Sequence, residues 1–248
     1  MQWDKITEQQ NIVSSDIDKK STLEILRIIN QEDALITDAV NNVLPDIAVL
    51  IDAIVQRFHK GGRLFYTGSG TSGRLGILDA SECPPTYSTD PAMVQGIIAG
   101  GKDAVIRSVE GAEDHYEYGS QAMINNNVSE IDIIIGITAS SSTKFVLGSL
   151  KKASELGALT GLLICNLAPE LNHVNHIISI IVGPEVVTGS TRMKAGTASK
   201  MVLNMITTTA MIKLNKTYGN LMVDMKASNE KLWDRGTRII GHLTDLNY

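Results

Sequence analysis

The sequence predicts an α/β protein: a three-layer sandwich in which helices cover both faces of a five-stranded parallel sheet, preceded by N-terminal helices. Two observations predict it. Five short apolar runs recur along the chain, at 63–67, 93–99, 131–138, 159–166 and 177–182. Segments with helical spacing or helix-start signals lie between and around them, and strands that alternate with helices belong to parallel sheets buried on both sides.

The elements follow in chain order. Residues 1–20 are polar and irregular. Ser21, Thr22 and Glu24 offer a capping box, which predicts a helix from there to about Asn30. From Glu32 to His59 the apolar residues, Ile36, Val43, Ile47, Leu50 and Ile54 among them, keep helical spacing, and Pro45 is placed to start a second helix. Gly61 and Gly62 close this segment. The first strand leads through a glycine turn into a helix over 71–80. Helices are predicted near 115–126 and 143–157, and a long one over 191–214. On this division 1–60 is a helical segment for packing or dimer contact, 61–220 holds the sheet, and 221–248 is a helical end.

Composition narrows the function. Hydrophobic residues make up 43% and charged residues 20%, the balance of a globular chain. Aromatics are only 4%, so aliphatic side chains and Met must fill the core. A net charge of -5 offers no basic surface for nucleic acid or an anionic membrane. Two cysteines, Cys83 and Cys165, are too few for a disulfide scaffold. The start, Met1-Gln2-Trp3-Asp4-Lys5, lacks the basic residues and apolar run of a signal peptide, and no apolar stretch reaches the length of a membrane span. The expected setting is cytoplasmic.

Three loops carry the chemistry. Gly68-Ser69-Gly70-Thr71-Ser72-Gly73 fits the G-x-G-x-x-G pattern between a strand and a helix. Such a loop lets backbone N–H groups and the positive end of a helix approach an anion. A dinucleotide would also need an acidic residue at the end of the second strand, and that strand ends neutrally at Ile98-Ala99-Gly100. The hydroxyls of Thr71 and Ser72 suit a compact phosphate monoester instead. A second hydroxyl cluster, Thr138, Ser140, Ser141, Ser142 and Thr143, follows the third strand, so both clusters fall on the carboxyl rim of the sheet, where parallel sheets bind ligands. The third loop, with Thr188, Ser190, Thr191 and Lys194, opens the long helix and again suits an anion.

Two carboxylates stand in turns. Pro84 places Glu82 where a helix has to stop, on a turn above the glycine loop, and Glu113 lies in the turn Gly111-Ala112-Glu113-Asp114. Carboxylates in unlike surroundings can divide acid and base roles. His173 and His176 have no third ligand nearby, so no metal is predicted, and Cys83 has no base beside it in sequence.

The run Gly70-Thr71-Ser72-Gly73-Arg74-Leu75-Gly76, followed by Leu78-Asp79-Ala80-Ser81-Glu82-Cys83-Pro84-Pro85-Thr86, resembles the N-acetylmuramic acid 6-phosphate etherase family. So do Gly96-Ile97-Ile98-Ala99-Gly100-Gly101, Val109-Glu110-Gly111-Ala112-Glu113-Asp114, Val182-Gly183-Pro184-Glu185 and Leu221-Met222-Val223-Asp224. The resemblance implies the sugar isomerase (SIS) fold and a homodimer. It implies a lyase of bacterial cell-wall recycling that removes D-lactate from a sugar phosphate with no metal or nicotinamide, Glu82 acting as proton donor and Glu113 as partner acid–base. Gly70, Thr71, Ser72, Thr138, Ser140, Thr143, Ser190 and Lys194 are the expected substrate-binding residues. A sensor of the same fold would need the phosphate loops but not both carboxylates.

The chain departs from the family pattern in places. After the third strand the family usually has Ala-Ser-Gly-Arg-Thr-Pro-Tyr, and here the loop is Ala139-Ser140-Ser141-Ser142-Thr143-Lys144-Phe145, so the glycine and the arginine are gone. Lys144 is the nearby candidate to replace the lost charge. The usual Lys-Ser-Gly-Thr is Lys194-Ala195-Gly196-Thr197. The Thr-Glu-x-x-Asn pattern survives as Thr7-Glu8-Gln9-Gln10-Asn11, with Ile12 where proline usually follows. The resemblance also implies a further helical segment beyond Tyr248.

Overall fold

The computed structural model describes residues 5–227 and 229–244. The start at 1–4 and the last residues of the expected helical end, 245–248, lie outside them. Five parallel strands form one sheet: β1 (Leu64–Gly68), β2 (Val94–Ile98), β3 (Ile133–Ile137), β4 (Leu159–Ile164) and β5 (His176–Ser179), in the order β2-β1-β3-β4-β5. All neighbours run parallel, and Gly68 pairs with Ile98 on one side and Ile137 on the other. The loops leaving β1 and β3 therefore start side by side. The strand order reverses there, and open parallel sheets bind their ligands at such a switch point.

The pleat sorts side chains into two cores. Leu64 and Tyr66 of β1, with Ile133, Ile135 and Ile137 of β3, join a core shared with helices α1 (Thr22–Asn41), α2 (Leu44–Phe58), α3 (Gly70–Tyr87) and α7 (Lys194–Lys213). Phe65, Ile134, Leu162 and Ile164 face the other side, with Met123 of α5 (Tyr116–Asn125) and Val146 and Leu150 of α6 (Lys144–Glu155). A short α4 (Asp103–Ile106) and a C-terminal α8 (Glu230–Thr244) complete the helices. No single described helix is long and apolar enough to cross a membrane. α1 and α2 reach that length only together, across a 59° bend, and Ile36, Val40, Ile47, Leu50, Ile51 and Ile54 of the pair lie in the first core.

Three helix boundaries correct the sequence expectation. The first helix does not stop near Asn30. It begins at the capping box, where the Ser21 N–H donates to Glu24 at 2.9 Å, and runs unbroken to Asn41 because Glu32, Ile36 and Val40 share its buried face. The break falls at Asn42 and Val43, and Pro45 sits in the first turn of α2, where a missing N–H costs nothing. α3 does not end before Pro84. It carries Pro84 and Pro85 inside its last turns and stops at Ser88, whose φ of 49° is left-handed. The long helix opens at Lys194 rather than Thr191.

Candidate active site

The loop after β1 is fixed by close packing. A Cβ on Gly68 would lie 2.7 Å from the Gly73 nitrogen, and one on Gly73 would lie 2.5 Å from Ile98 Cγ1. Only glycine allows the turn to fold this tightly against β2. The loop delivers Gly70, Thr71 and Ser72 to the N-terminus of α3, where backbone N–H groups are unpaired. Ser69 donates a 2.7 Å hydrogen bond to Glu113 Oε2, so the turn at 111–114 is tied to the glycine loop.

The loop after β3 has a different construction. Thr138 and Thr143 share a 2.8 Å hydroxyl hydrogen bond, and Ser140 and Ser142 share one of 3.1 Å. Ser141, which stands where the family has glycine, is held at φ 61°. Thr143 precedes α6, so the hydroxyls gather at that helix's N-terminus.

Between the two loops lies a cleft of about 450 Å³, a volume suited to a small molecule. Gly70, Thr71, Ser72, Thr138, Ser140, Thr143 and Glu113 all line it. Ser190 is not on the lining, although its neighbours Gly189 and Thr191 are. Lys194 and Glu82, like Ser190, are also absent from the lining. Lys194 is 1% exposed, and its Nζ pairs with Glu32 at 2.6 Å. At the start of α7 it neutralises a buried carboxylate from α1. Glu185 caps the same helix by accepting 2.9 Å bonds from the Lys194 and Ala195 N–H groups, while burial raises its pKa.

Glu82 is not on a turn above the glycine loop. It lies within α3, twelve residues beyond Gly70, which at helical rise is about 18 Å along the axis. It is exposed at the opposite end of the helix from the cleft, as is Leu78 one turn earlier. Below it, Asp79 accepts hydrogen bonds from Tyr66 at 3.0 Å and Thr207 at 3.1 Å, and burial pushes its carboxyl up to about 6. Cys83 is buried with its thiol pushed up to about 12, a packing residue and no nucleophile at neutral pH. Among the described residues no His, Cys, Asp and Glu cluster could hold a metal.

The cleft also contains residues that sequence reasoning passed over: Lys5, Glu8 and Asp114. Glu8 belongs to the surviving Thr7-Glu8-x-x-Asn11 pattern, but nothing local to that pattern says that it folds back over a sheet rim more than a hundred residues away.

Comparison with known proteins decides the family. The chain is 53% identical to the N-acetylmuramic acid 6-phosphate etherase of Clostridium beijerinckii over 97% of its own length and 80% of that protein. It is 56% identical to the etherase of Caldanaerobacter subterraneus subsp. tengcongensis over 95% and 77%. The chain belongs to the N-acetylmuramic acid 6-phosphate etherase family. Residues 46–154 also match the N-terminal SIS domain of glucokinase regulatory protein. A phosphoheptose isomerase from Francisella tularensis superposes with a TM-score of 0.61, covering 78% of this chain and 100% of that one at 17% identity, which shows a shared fold.

Proposed function

We infer that the chain is a carbon–oxygen lyase that cleaves the lactyl ether of N-acetylmuramic acid 6-phosphate, giving N-acetylglucosamine 6-phosphate and D-lactate. The observation that carries this reading is the cleft itself. Two hydroxyl-rich loops flank a carboxylate, Glu113, that Ser69 holds in place, in a chain of the etherase family. The lactyl oxygen is a poor leaving group. Opening the sugar ring places the C2 proton beside an aldehyde, so that a base can remove it. The C2–H electron pair then forms the C2=C3 double bond as the C3–O bond breaks, and an acid protonates the departing lactyl oxygen. Water adds to C3, and C2 regains a proton. The remote phosphate supplies binding energy that holds C2 and C3 in register with the acid and base.

We assign one of these roles to Glu113, which lines the cleft. The other, assigned to Glu82, needs a carboxylate within reach of the neighbouring carbon, and the Glu82 of the same chain is about 18 Å of helix away. We infer a two-fold dimer in which each cleft takes its Glu82 from the partner subunit. The exposed Leu78 and Glu82 side by side on α3 suit such a contact, and a two-fold interface would complete both clefts at once.

Lactate release from the sugar phosphate tests the reaction. Glu82→Gln and Glu113→Gln should each lower turnover about a hundredfold to ten-thousandfold. Mixing the two variants tests the shared cleft: a mixed dimer has one intact site, so random assortment should restore about a quarter of wild-type activity. No recovery on mixing would sink the dimer reading and leave the reaction standing, whereas no lactate from the wild-type chain would sink the reaction.

A further inference from the structure

A phosphate entering the cleft meets three carboxylates, Glu8, Glu113 and Asp114, and, among the described lining residues, a single cation, Lys5. Lys5 Nζ donates a 2.6 Å hydrogen bond to Ser142 Oγ. Ser142 is the position at which the resemblance of this loop to the family pattern implies an arginine. The two lysines of the neighbouring loops do not line the cleft. Lys144 is exposed at the start of α6 and lines no part of the cleft, and Lys194 is buried on Glu32.

Lys5 is not a loose terminal side chain. The N–H of the next residue, Ile6, donates to Asn166 Oδ1 at 3.0 Å, and Asn166 Nδ2 donates to Thr7 Oγ1 at 3.0 Å. Thr7 is fully buried, and Asn166 follows β4 on the carboxyl rim of the sheet. Further along, Asn11 donates to Glu32 Oε2 at 2.7 Å and to the Pro184 carbonyl at 3.1 Å, and Ser14 donates to the Val186 carbonyl at 2.7 Å. Residues 6–14 thus form a strap stitched to the rim, and the strap holds Lys5 against the mouth of the loop after β3.

We propose that Lys5 binds the phosphate of the substrate, supplying from the N-terminal strap the positive charge that the loop after β3 lacks. The proposal rests on the etherase reading of the cleft. An ammonium has three donors. One lies on Ser142, which leaves two for phosphate oxygens. The hydroxyls of Ser140 and Thr143 and the N-terminus of α6 complete an anion cradle around it. Glu113 and Asp114, on the turn tied to the glycine loop, repel a phosphate dianion from that side of the cleft, which favours the Lys5 side for the phosphate and leaves the sugar carbons toward Glu113.

The test uses steady-state kinetics with N-acetylmuramic acid 6-phosphate and calorimetry with two probes. N-acetylglucosamine 6-phosphate has the phosphate and no lactyl group, and unphosphorylated N-acetylmuramic acid has the lactyl carboxylate and no phosphate. Lys5→Met should raise KM and weaken N-acetylglucosamine 6-phosphate binding by about ten- to a hundredfold, the loss of a charge-assisted hydrogen bond. Turnover at saturation should also fall, but by less than KM rises, because part of the phosphate binding energy holds C2 and C3 in place. Lys5→Arg should keep most of the affinity, and adding Ser141→Gly and Ser142→Arg to Lys5→Met should regain it. Unchanged KM and affinity in Lys5→Met would overturn the proposal. So would weakening confined to the unphosphorylated, lactyl-bearing probe, or a fall in turnover with KM unmoved. A wild-type chain that binds neither phosphorylated sugar would overturn the etherase reading as well, an outcome distinct from all of these.

Discussion

The two loops that frame the cleft reach the same rim by opposite means. The glycine loop after β1 has no spare room: Gly68 and Gly73 press on backbone and on Ile98, and the loop's shape follows from packing. The serine loop after β3 is held by its own hydroxyls, with Ser141 kept left-handed at φ 61° and Ser142 reached by Lys5 from the strap. The helices behind the loops differ in the same way. α3 is clamped by a carboxylate, Asp79, between Tyr66 of β1 and Thr207 of α7. α6 is clamped by neutral hydroxyls, with Thr67 and Ser149 3.0 Å apart and Ser149 donating to the Phe145 carbonyl. One half of the site is fixed by close backbone packing. The other is held by polar side-chain contacts, one of them from Lys5 elsewhere in the chain.

The sharpest way to break this contrast is Gly68→Ala. The added methyl would meet backbone atoms that cannot turn aside, so the fold should lose about 3 kcal/mol or more. For a chain of this size that is a drop in Tm of roughly 6–12 °C. A thermal midpoint within a degree or two of wild type would show that close backbone packing does not fix the glycine loop.

Next in size is the pH response of the α3 clamp. Burial raises the Asp79 carboxyl from its ordinary value of 3.8 to about 6, and the hydrogen bonds from Tyr66 and Thr207 and the charge of Lys200 pull it back only in part. A group that holds its proton longer when folded favours the fold at low pH. This contribution is therefore complete below about pH 4, fades as pH rises to about 6, and leaves a cost of about 3 kcal/mol above that. Asp79→Asn keeps an acceptor for Tyr66 and offers Thr207 a donor. It should raise stability above pH 6 by about 2–3 kcal/mol and flatten the urea midpoint between pH 4 and 6. Ser149→Ala in α6 should leave the pH profile as it was. A wild-type profile in Asp79→Asn would remove Asp79 from this role.

The smallest effect sharpens the comparison from the other side. Ser141→Gly removes a left-handed penalty of roughly 1–2 kcal/mol, less the roughly 0.5–1 kcal/mol of entropy that glycine brings. The denaturant midpoint should rise by the equivalent of about 0.5–1 kcal/mol. A fall would mean that the Ser141 hydroxyl, which donates to the Ser140 carbonyl at 2.6 Å, outweighs the strain.

The legible part of the site was the part carried by short local patterns. Gly70, Thr71 and Ser72 after β1, and Thr138, Ser140 and Thr143 after β3, were placed on one rim by reading strand ends, and they line one cleft. The positions of Lys194 and Glu82 within one chain are not legible in sequence, for identifiable reasons. A lysine at a helix start looks the same in sequence whether it faces a ligand or neutralises Glu32 from another helix. A proline pair signals a helix end, yet α3 absorbs both prolines in its last turns, so Glu82 stays on the helix and far from the cleft.

The sequence by itself determined the layer architecture, the five strands, the rim on which the two hydroxyl loops meet and the hydroxyl character of those loops. Each of these depends on residues within one turn or one strand of each other, where periodicity and turn chemistry act. Only the tertiary structure decided which charges serve the site. Lys5 meets Ser142 across 137 residues and Lys194 meets Glu32 across 162. A charged side chain is placed by whichever partner or solvent its folded surroundings offer, and no local pattern along the chain records that choice.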